Sequence, residues 1–279
     1  MCIRFFILLC SLFFTTSCYA KEKKKQTLKN DPIEFVVVIP SYNNEKWCVK
    51  NLDSVTEQTY PHLSFIYIND CSKDATGELV DQYIKEKNLS HKFKVIHNET
   101  RKGAMANIFN AVHTIKPHQV VAVVAGDDWL SDRYVFEKLA KVYKEQDAWI
   151  THGNYTSEPF TKKSYCKAYS QHVQEERLFR KTKWYGCQLR TFYAKLFQMI
   201  KKEDLMIDDQ FLPATYDLAI MFPMLEMASK GHIFFIKEPI YVVNTSNPIS
   251  DNKEKKELQK RLDLYLRELP SYLPLQTLF

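Results

Sequence analysis

The chain has 279 residues, enough for one large domain or two small ones. Its 45% hydrophobic and 26% charged residues are typical of a globular protein and exclude a disordered or fibrous one. It has only 6 glycines, none close to another, where average usage gives about 20, which excludes the clustered glycines of a dinucleotide fingerprint and of a P-loop. The formal net charge of +6 fits an anionic small substrate or a membrane surface, and without a zinc-finger or RNA-binding motif we expect no nucleic-acid partner.

Residues 1–20 predict a signal peptide or an N-terminal anchor. Arg4 precedes an apolar run that ends in small and polar residues, with a predicted cleavage site after Ala20. The run is short for a spanning helix. A cleaved leader predicts export or the secretory pathway. An uncleaved leader, followed by four lysines within residues 21–25, predicts membrane association with the body facing the cytosol. A lipid anchor at Cys18 is disfavoured because the usual leucine is missing.

Strand-like apolar runs alternate with helical spacing after a charged linker at 21–33. This alternation predicts an α/β fold with a mostly parallel twisted sheet and helices on both faces. The predicted strands lie at 34–40, 64–69, 93–97, 120–125 and 148–152, and the predicted helices at 45–58, 76–87, 103–115 and 131–145.

The alternation stops near residue 153, and the second half is more irregular. Its spacing predicts helices at 189–200 and 217–229 and a hairpin across Glu238–Pro239, formed by 232–236 and 240–243. We assign 34–250 to one domain and 251–279 to a C-terminal helix and tail, the helix spanning 251–267.

The cysteines beyond the leader match no zinc or redox spacing. Cys166 and Cys187 flank a long polar loop and would pair in an oxidising compartment. Alternatively, these two and Cys48 and Cys71 are all buried or half-buried thiols. The sequence leaves both alternatives open.

Polar residues follow the predicted strands, where open parallel sheets bind ligands. Four such segments, in this order, resemble the family 2 glycosyltransferases of the GT-A fold: FVVVIPSYNNEKWCVKNLDSV, FIYINDCSKDAT, HNETRKGAMANIFNAV and AGDDWL. The resemblance covers about residues 34–155, and the second half is also similar in WYGCQLRTFYAKLF, DLAIMFPMLEMA and EPIYVVN. It implies a GT-A domain over 34–250 that transfers sugar from a nucleotide-sugar with inversion.

The resemblance also implies roles for individual residues. Asp217 would be the catalytic base, because an acceptor hydroxyl must lose its proton. Asp127 and Asp128 would hold Mg²⁺ or Mn²⁺, which neutralises a diphosphate leaving group. A UDP-sugar is the favoured donor, and the acceptor is an unspecified glycan, lipid or protein. The donor-binding residues would be Pro40, Ser41, Tyr42, Asn43, Asp70, Lys102, Gly103 and Asp127, with Trp129, Gln188 and Arg190 on the acceptor side.

Two positions depart from the family pattern. Ala125 stands where the metal motif has its first aspartate, and Tyr216-Asp217 replaces the usual Glu-Asp. Because a carboxylate is missing, a non-catalytic nucleotide-sugar-binding or glycan-binding relative is the alternative function.

Each candidate residue also has a purely structural interpretation. Asp127 and Asp128 are acids that favour a helix N-terminus, Asp70 suits a turn, and Asp217 suits an N-cap. The remaining alternatives are an exposed surface lysine for Lys102, core packing for Trp129, and the start of a helix for the 188–191 segment.

Overall fold

The computed structural model describes residues 31–160 and 164–279. The predicted leader at 1–20 and all but the last residues of the 21–33 linker lie outside this range, so both remain predictions. Within the described range, Glu34–Leu278 forms one compact unit. No helix in the described part of the chain is long and apolar enough to cross a bilayer.

An eight-stranded sheet forms the centre of the compact unit. Its strands are β1 (Phe35–Ser41), β2 (Leu63–Asn69), β3 (Phe93–His97), β4 (Val120–Val123), β5 (Trp129–Leu130), β6 (Ile150–Glu158), β7 (Arg190–Tyr193) and β10 (Ile233–Asn244), and β8 (Met206–Ile207) pairs with β9 (Gln210–Phe211) in a separate hairpin. The strand order is β3-β2-β1-β4-β7-β6-β10-β5. Strands β3, β2, β1 and β4 are parallel, β7 is antiparallel to both neighbours, and β10 is parallel to β6 and antiparallel to β5. The predicted α/β fold with a mostly parallel sheet is therefore confirmed.

The helices of the first half follow the predicted order, each shorter than or slightly displaced from its predicted range. Those of the second half include one short helix, Gln171–Glu175, that the sequence does not suggest. The helices are α1 (Cys48–Thr56), α2 (Thr76–Glu86), α3 (Ala104–Val112), α4 (Val135–Gln146), α5 (Gln171–Glu175), α6 (Ala194–Gln198), α7 (Tyr216–Met227), α8 (Asp251–Glu254) and α9 (Lys256–Glu268).

Two predictions for the second half are wrong. The predicted helix at 189–200 begins instead with β7, and only Ala194–Gln198 is helical. Strand β7 fits because it fills the gap between β4 and β6, where Thr191 bonds the hydroxyls of Thr151 and Tyr143. The predicted hairpin across Glu238–Pro239 is one continuous strand, β10, whose register shifts around Pro239. Such an irregularity accommodates a proline that cannot donate to the ladder.

Helix α7 and the C-terminal helix α9 pack together in the core. Residues 218–227 of α7 are buried, and among them Glu226 is paired with buried Arg180, Nε to Oε1 at 2.6 Å. Arg180 also donates to the carbonyl of Leu266 in α9, whose Leu262 and Leu266 are buried. The predicted helix at 251–267 is divided at Lys255 into α8 and α9. Arg180 thus links the C-terminal part of α7 to the C-terminal part of α9.

Candidate functional site

The ends of β1 and β4 meet at the carboxyl edge of the sheet. Ser41 is buried and accepts hydrogen bonds from Tyr67 Oη at 2.8 Å and Asn44 Nδ2 at 3.0 Å. Gly126 lies so close that a Cβ on it would be 2.5 Å from Ser41 Oγ, and its N–H donates to the carbonyl of Pro40. Glycine at 126 is therefore required for the turn after β4 to approach β1.

Asp70 organises the loop that precedes α3. It is 4% exposed and accepts hydrogen bonds from Asn98 Nδ2, Lys102 N and Gly103 N, each at 2.8 Å. Burial raises the pKa of Asp70, but hydrogen bonding from Asn107, Lys102, Asn98 and Gly103 outweighs it, so that the pKa lies below its usual value. Lys102 and Gly103 thus meet Asp70 through their backbone amides.

Tyr42 and Asn43 lie at the same edge. The ring of Tyr42 is covered by the guanidinium of Arg101, whose Cζ is 3.8 Å from the ring centroid. Asn43 has φ +52 and accepts a hydrogen bond from Lys73 N at 2.8 Å. The segment after β1 therefore contacts both the segment after β2 and the loop that Asp70 binds.

Asp127 and Asp128 have different surroundings although they are adjacent. Asp128 is 5% exposed, and its two oxygens accept hydrogen bonds from Tyr241 Oη at 2.9 Å and Asn244 N at 2.8 Å. Burial, and then the charge of Asp127, raise the pKa of Asp128 well above its usual value. Asp127 is the partly exposed member, and its Oδ2 accepts from Asn247 Nδ2 at 2.7 Å. Asp128 is thus engaged with β10, and Asp127 faces the edge of the sheet.

These carboxylates fit a divalent cation only if the donor phosphates supply further ligands. In the ranges 31–160 and 164–279, no three His, Cys, Asp or Glu side chains are grouped closely enough to hold a metal ion. Mg²⁺, however, commonly binds through one or two carboxylates together with substrate phosphates. Asp127 fits that arrangement, whereas both oxygens of Asp128 are already hydrogen-bonded within the fold.

Asp217 lies in the first turn of α7 and is paired with Arg190 of β7. The distance from Arg190 Nη2 to Asp217 Oδ2 is 3.0 Å, and Arg190 Nε donates to the carbonyl of Gly186 at 2.7 Å. Arg190 is opposite Val123 in the sheet, so this ion pair lies near the end of β4. The side chain of Asp217 remains 27% exposed.

A cleft of about 430 Å³ opens beside Asp217. Gln188 and Arg190, which the family resemblance assigns to the acceptor side, line this cleft, whereas Trp129, assigned to the same side, lies outside it. Trp129 lies in β5, is 7% exposed, and has the ammonium of Lys50 3.6 Å from its ring centroid. The other lining residues include Tyr155, Tyr165, Trp184, Cys187, Thr215, Leu218, Val243, Lys256, Gln259, Lys260 and Asp263.

A disulfide joins Cys166 to Cys187 at one wall of this cleft, with their Cα atoms 6.2 Å apart. Cys48 is a buried free thiol and Cys71 a partly buried one. Of the two alternatives left open by the sequence, the structure therefore contains the disulfide. Within the bridged loop, a Cβ on Gly186 would be 2.5 Å from the indole of Trp184, so the ring of Trp184 lies directly on Gly186.

Several residues at the site have no sequence signal of their own. Asn247 reaches Asp127 from the loop after β10, and Tyr241 reaches Asp128 from a strand more than 100 residues away. Lys256 and Lys260 belong to a helix whose charged sequence is typical of a solvent-exposed face. The aromatic residues near Cys166 and Cys187 are the one recognisable signal, because aromatic side chains in a polar loop are unusual.

Comparison with known proteins gives a consistent result. Residues 36–205 match the family model described as glycosyl transferase family 2. Glycosyltransferase GlyG of Streptococcus pneumoniae serotype 4 is 30% identical over 119 residues, which are 43% of this chain and 38% of GlyG. The chain thus matches well under half the length of this curated relative.

Two solved structures share the fold. S. aureus TarS in complex with UDP has a TM-score of 0.57 at 17% identity, covering 85% of this chain and 67% of that one. The mannosyltransferase PcManGT from Pyrobaculum calidifontis, in complex with GDP-Man and Mn²⁺, has a TM-score of 0.56 at 16% identity, covering 94% of this chain and 73% of that one. These likenesses confirm the GT-A type of fold.

Proposed function

The chain belongs to glycosyl transferase family 2, and on that premise we propose that it transfers a sugar from a nucleotide-diphosphate sugar to an acceptor hydroxyl, inverting the anomeric centre. The observation that carries the proposal is the placement of two partly exposed carboxylates at the carboxyl edge of the sheet. Asp127 follows β4, and Asp217 is held by Arg190, which pairs with Val123 of β4. A base and a leaving-group site are both needed for a single displacement.

Asp217 is proposed as the general base. Its carboxylate opens into the cleft, where an acceptor hydroxyl can come within hydrogen-bonding distance. Asp217 takes the proton of that hydroxyl while the oxygen forms a bond to C1 of the sugar. The bond from C1 to the diphosphate oxygen breaks on the opposite face, and the diphosphate leaves with the electron pair.

Asp127 is proposed to hold Mg²⁺ or Mn²⁺ together with the donor diphosphate. When bound, such a cation supplies positive charge that stabilises the leaving diphosphate. Asn247 fixes the orientation of Asp127 by donating to its Oδ2. Ala125 contributes no carboxylate to this site, so Asp127 and the donor phosphates would hold the cation.

The donor is proposed to be a UDP-sugar, bound by the segments around Ser41, Tyr42 and Asp70. UDP is the ligand of the TarS structure, whereas PcManGT contains GDP-Man. Buried Asp70 maintains the loop at 98–103, and we assign the stacked pair of Tyr42 and Arg101 to the nucleoside side of the site.

We also propose that this enzyme works in an oxidising compartment. The disulfide between Cys166 and Cys187 supports a cleaved leader over an anchor with the body in the cytosol, because disulfides persist in oxidising environments. Intact-mass analysis of the protein isolated from its own cells tests this proposal. A mature N-terminus at Lys21 supports it, and an intact residue 1 with reduced cysteines contradicts it.

The catalytic proposal is tested by donor turnover in Asp217→Asn and Asp127→Asn. We expect Asp217→Asn to lower kcat at least 100-fold while UDP binding with Mn²⁺ is unchanged, and Asp127→Asn to weaken that binding. Asp209→Asn is a matched control, because Asp209 is exposed at φ +58, a conformation that asparagine tolerates. Turnover that survives both site variants would disprove the assignment. UDP binding without any turnover would support the non-catalytic alternative.

A further inference from the structure

One face of α9 lines the cleft. Lys256, Gln259, Lys260 and Asp263 all line the cleft, and their spacing of three and four residues puts them on one side of the helix. Leu262 and Leu266 of α9 are buried in the same hydrophobic core as the side chains of α7, which fixes the position of α9 beside the cleft. The cleft is therefore lined both by the proposed base and by two lysines.

The two lysines contribute little to the stability of the fold. Lys256 and Lys260 are four residues apart on α9, and a pair of like charges at this spacing slightly destabilises a helix. Lys260 is 2.8 Å from Glu257 in an exposed pair. In the described part of the chain, Lys256 has no carboxylate within ion-pairing distance.

The negative charge inside the cleft is already matched. Asp217 is paired with Arg190 at 3.0 Å, and Asp263 is paired with Arg267 at 2.8 Å. Lys256 therefore neutralises no carboxylate of the cleft, and its charge remains for a ligand.

The neighbouring wall is aromatic. Trp184 lies against Gly186 and meets Phe222 edge-on, with ring centroids 5.3 Å apart, so its indole is held in place. Tyr165 is 48% exposed beside the disulfide. Flat, rigid rings with polar groups beside them suit the apolar faces and hydroxyls of a saccharide.

We propose that this cleft selects an anionic acceptor: a saccharide carrying a carboxylate or phosphate, which Lys256 and Lys260 bind while one of its hydroxyls meets Asp217. That the bound saccharide is the acceptor rests on the proposed function. The preference of the cleft for a negatively charged saccharide can be tested separately. Carboxylate and phosphate share the same chemistry here, because each accepts charge-assisted hydrogen bonds from lysine.

Calorimetric titration of the purified protein with trigalacturonate and with neutral maltotriose tests the proposal. We expect trigalacturonate to bind the unmodified protein at least about tenfold more tightly, the worth of one charge-assisted hydrogen bond. The double variant Lys256→Gln/Lys260→Gln should lose this preference, and Lys256→Arg/Lys260→Arg should keep it. A parallel titration with glucose 6-phosphate and glucose separates phosphate from carboxylate recognition.

Lys141→Gln/Lys144→Gln is the matched control, because it removes the same charge from exposed positions of α4. It should keep the preference, and equal melting temperatures should show that all variants fold. The proposal is overturned if the unmodified protein does not prefer either anionic sugar, or if the preference survives in the glutamine variant.

Titration with UDP and Mn²⁺ separates this inference from the proposed function. Unchanged UDP affinity in the glutamine variant supports an acceptor role for the lysines. An equal loss of UDP affinity would overturn it, since the lysines would then serve the donor diphosphate. If neither the unmodified protein nor any variant binds UDP, but the unmodified protein still prefers the anionic sugar, the charge selection is supported and the glycosyl-transfer proposal fails.

Discussion

The guanidinium of Arg190 lies 3.0 Å from the carboxylate of Asp217, although one residue begins a central strand and the other lies in the first turn of a helix. Arg190 is almost fully buried and also binds the carbonyl of Gly186, so it links the disulfide-bridged loop to the proposed base. Its planar guanidinium presents the two donors in one rigid fork, whereas the ammonium of a lysine is a single point charge on a flexible stem. The orientation of Asp217 therefore depends on a residue outside its own helix.

Replacing Arg190 should impair both stability and catalysis. In Arg190→Gln, Asp217 loses its ion pair and Gly186 loses a hydrogen bond, so we expect the free energy of unfolding to fall by about 2–3 kcal/mol. We expect kcat to fall more than the KM for the donor rises. Urea unfolding and steady-state kinetics measure these effects. Arg133→Gln, at an exposed position, removes the same charge and should change neither quantity.

The disulfide should stabilise the protein and the cleft. A bridge across 21 residues contributes about 3 kcal/mol in the chain-entropy model. Cys166→Ser/Cys187→Ser should lose about this much in urea unfolding and bind cleft ligands more weakly, because Trp184 and Gly186 lie within the bridged loop. Dithiothreitol should destabilise the unmodified protein and leave the double variant unaffected. An equal loss of stability in dithiothreitol for both proteins would show that the reductant does not act through this disulfide.

Gly103 should be required for conformational reasons alone. Its φ of +84 and ψ of +157 lie in a region that is essentially restricted to glycine, and among the described residues no atom beyond its chain neighbours lies within 4 Å of the place for a Cβ. Gly103→Ala should cost about 1–2 kcal/mol in unfolding free energy and should also weaken UDP binding, since Gly103 N donates to Asp70.

Gly231→Ala is the matched control for this prediction. Gly231 has φ +89 with equally open space around it, and it precedes β10 at the opposite end from Asn244. A similar loss of stability is expected, with UDP binding unchanged. Equal weakening of UDP binding in both variants would show that the effect of Gly103→Ala is global.

His152 should make the protein less stable in acid. Burial, together with a smaller effect of the Arg190 charge, lowers the pKa of His152 from 6.5 to about 4. The native state thus favours the neutral ring. Its stabilising contribution is complete above pH 6.5 and is lost as the pH falls from 6.5 to about 4, which amounts to about 3 kcal/mol.

His152→Leu should remove this dependence. The difference in unfolding free energy between the variant and the unmodified protein should shift by about 3 kcal/mol in favour of the variant between pH 7 and pH 4. The acidic groups common to both proteins cancel in this comparison. Parallel pH profiles would show that His152 does not titrate in this range.

The first half of the fold follows from local patterns in the sequence. Strands such as Phe35–Ser41 are buried on both faces and therefore read as continuous apolar runs, and the polar residues after them come together because parallel strands end at one edge. The position of Asp70 beside Lys102 and Gly103 is a consequence of that arrangement.

The second half depends on contacts that a local pattern does not contain. Residues 190–193 form a strand because β4 and β6 flank them, and β10 passes through Pro239 because β6 supports it on both sides of the irregularity. Asp127 and Asp128 look alike in the sequence, and their different roles are decided by Tyr241, Asn244 and Asn247, which lie 113 to 120 residues away.

The end of β10 and the loop after it connect the cleft to Asp127. Val243 lines the cleft, and Asn247, only a few residues later, binds Asp127. One short piece of backbone thus borders both the proposed donor site and the proposed acceptor site. A ligand that displaces it at one site changes affinity at the other, and thermodynamic reciprocity makes the two changes equal in free energy. Cooperativity between donor and acceptor is therefore expected to reside in the few residues from Val243 to Asn247.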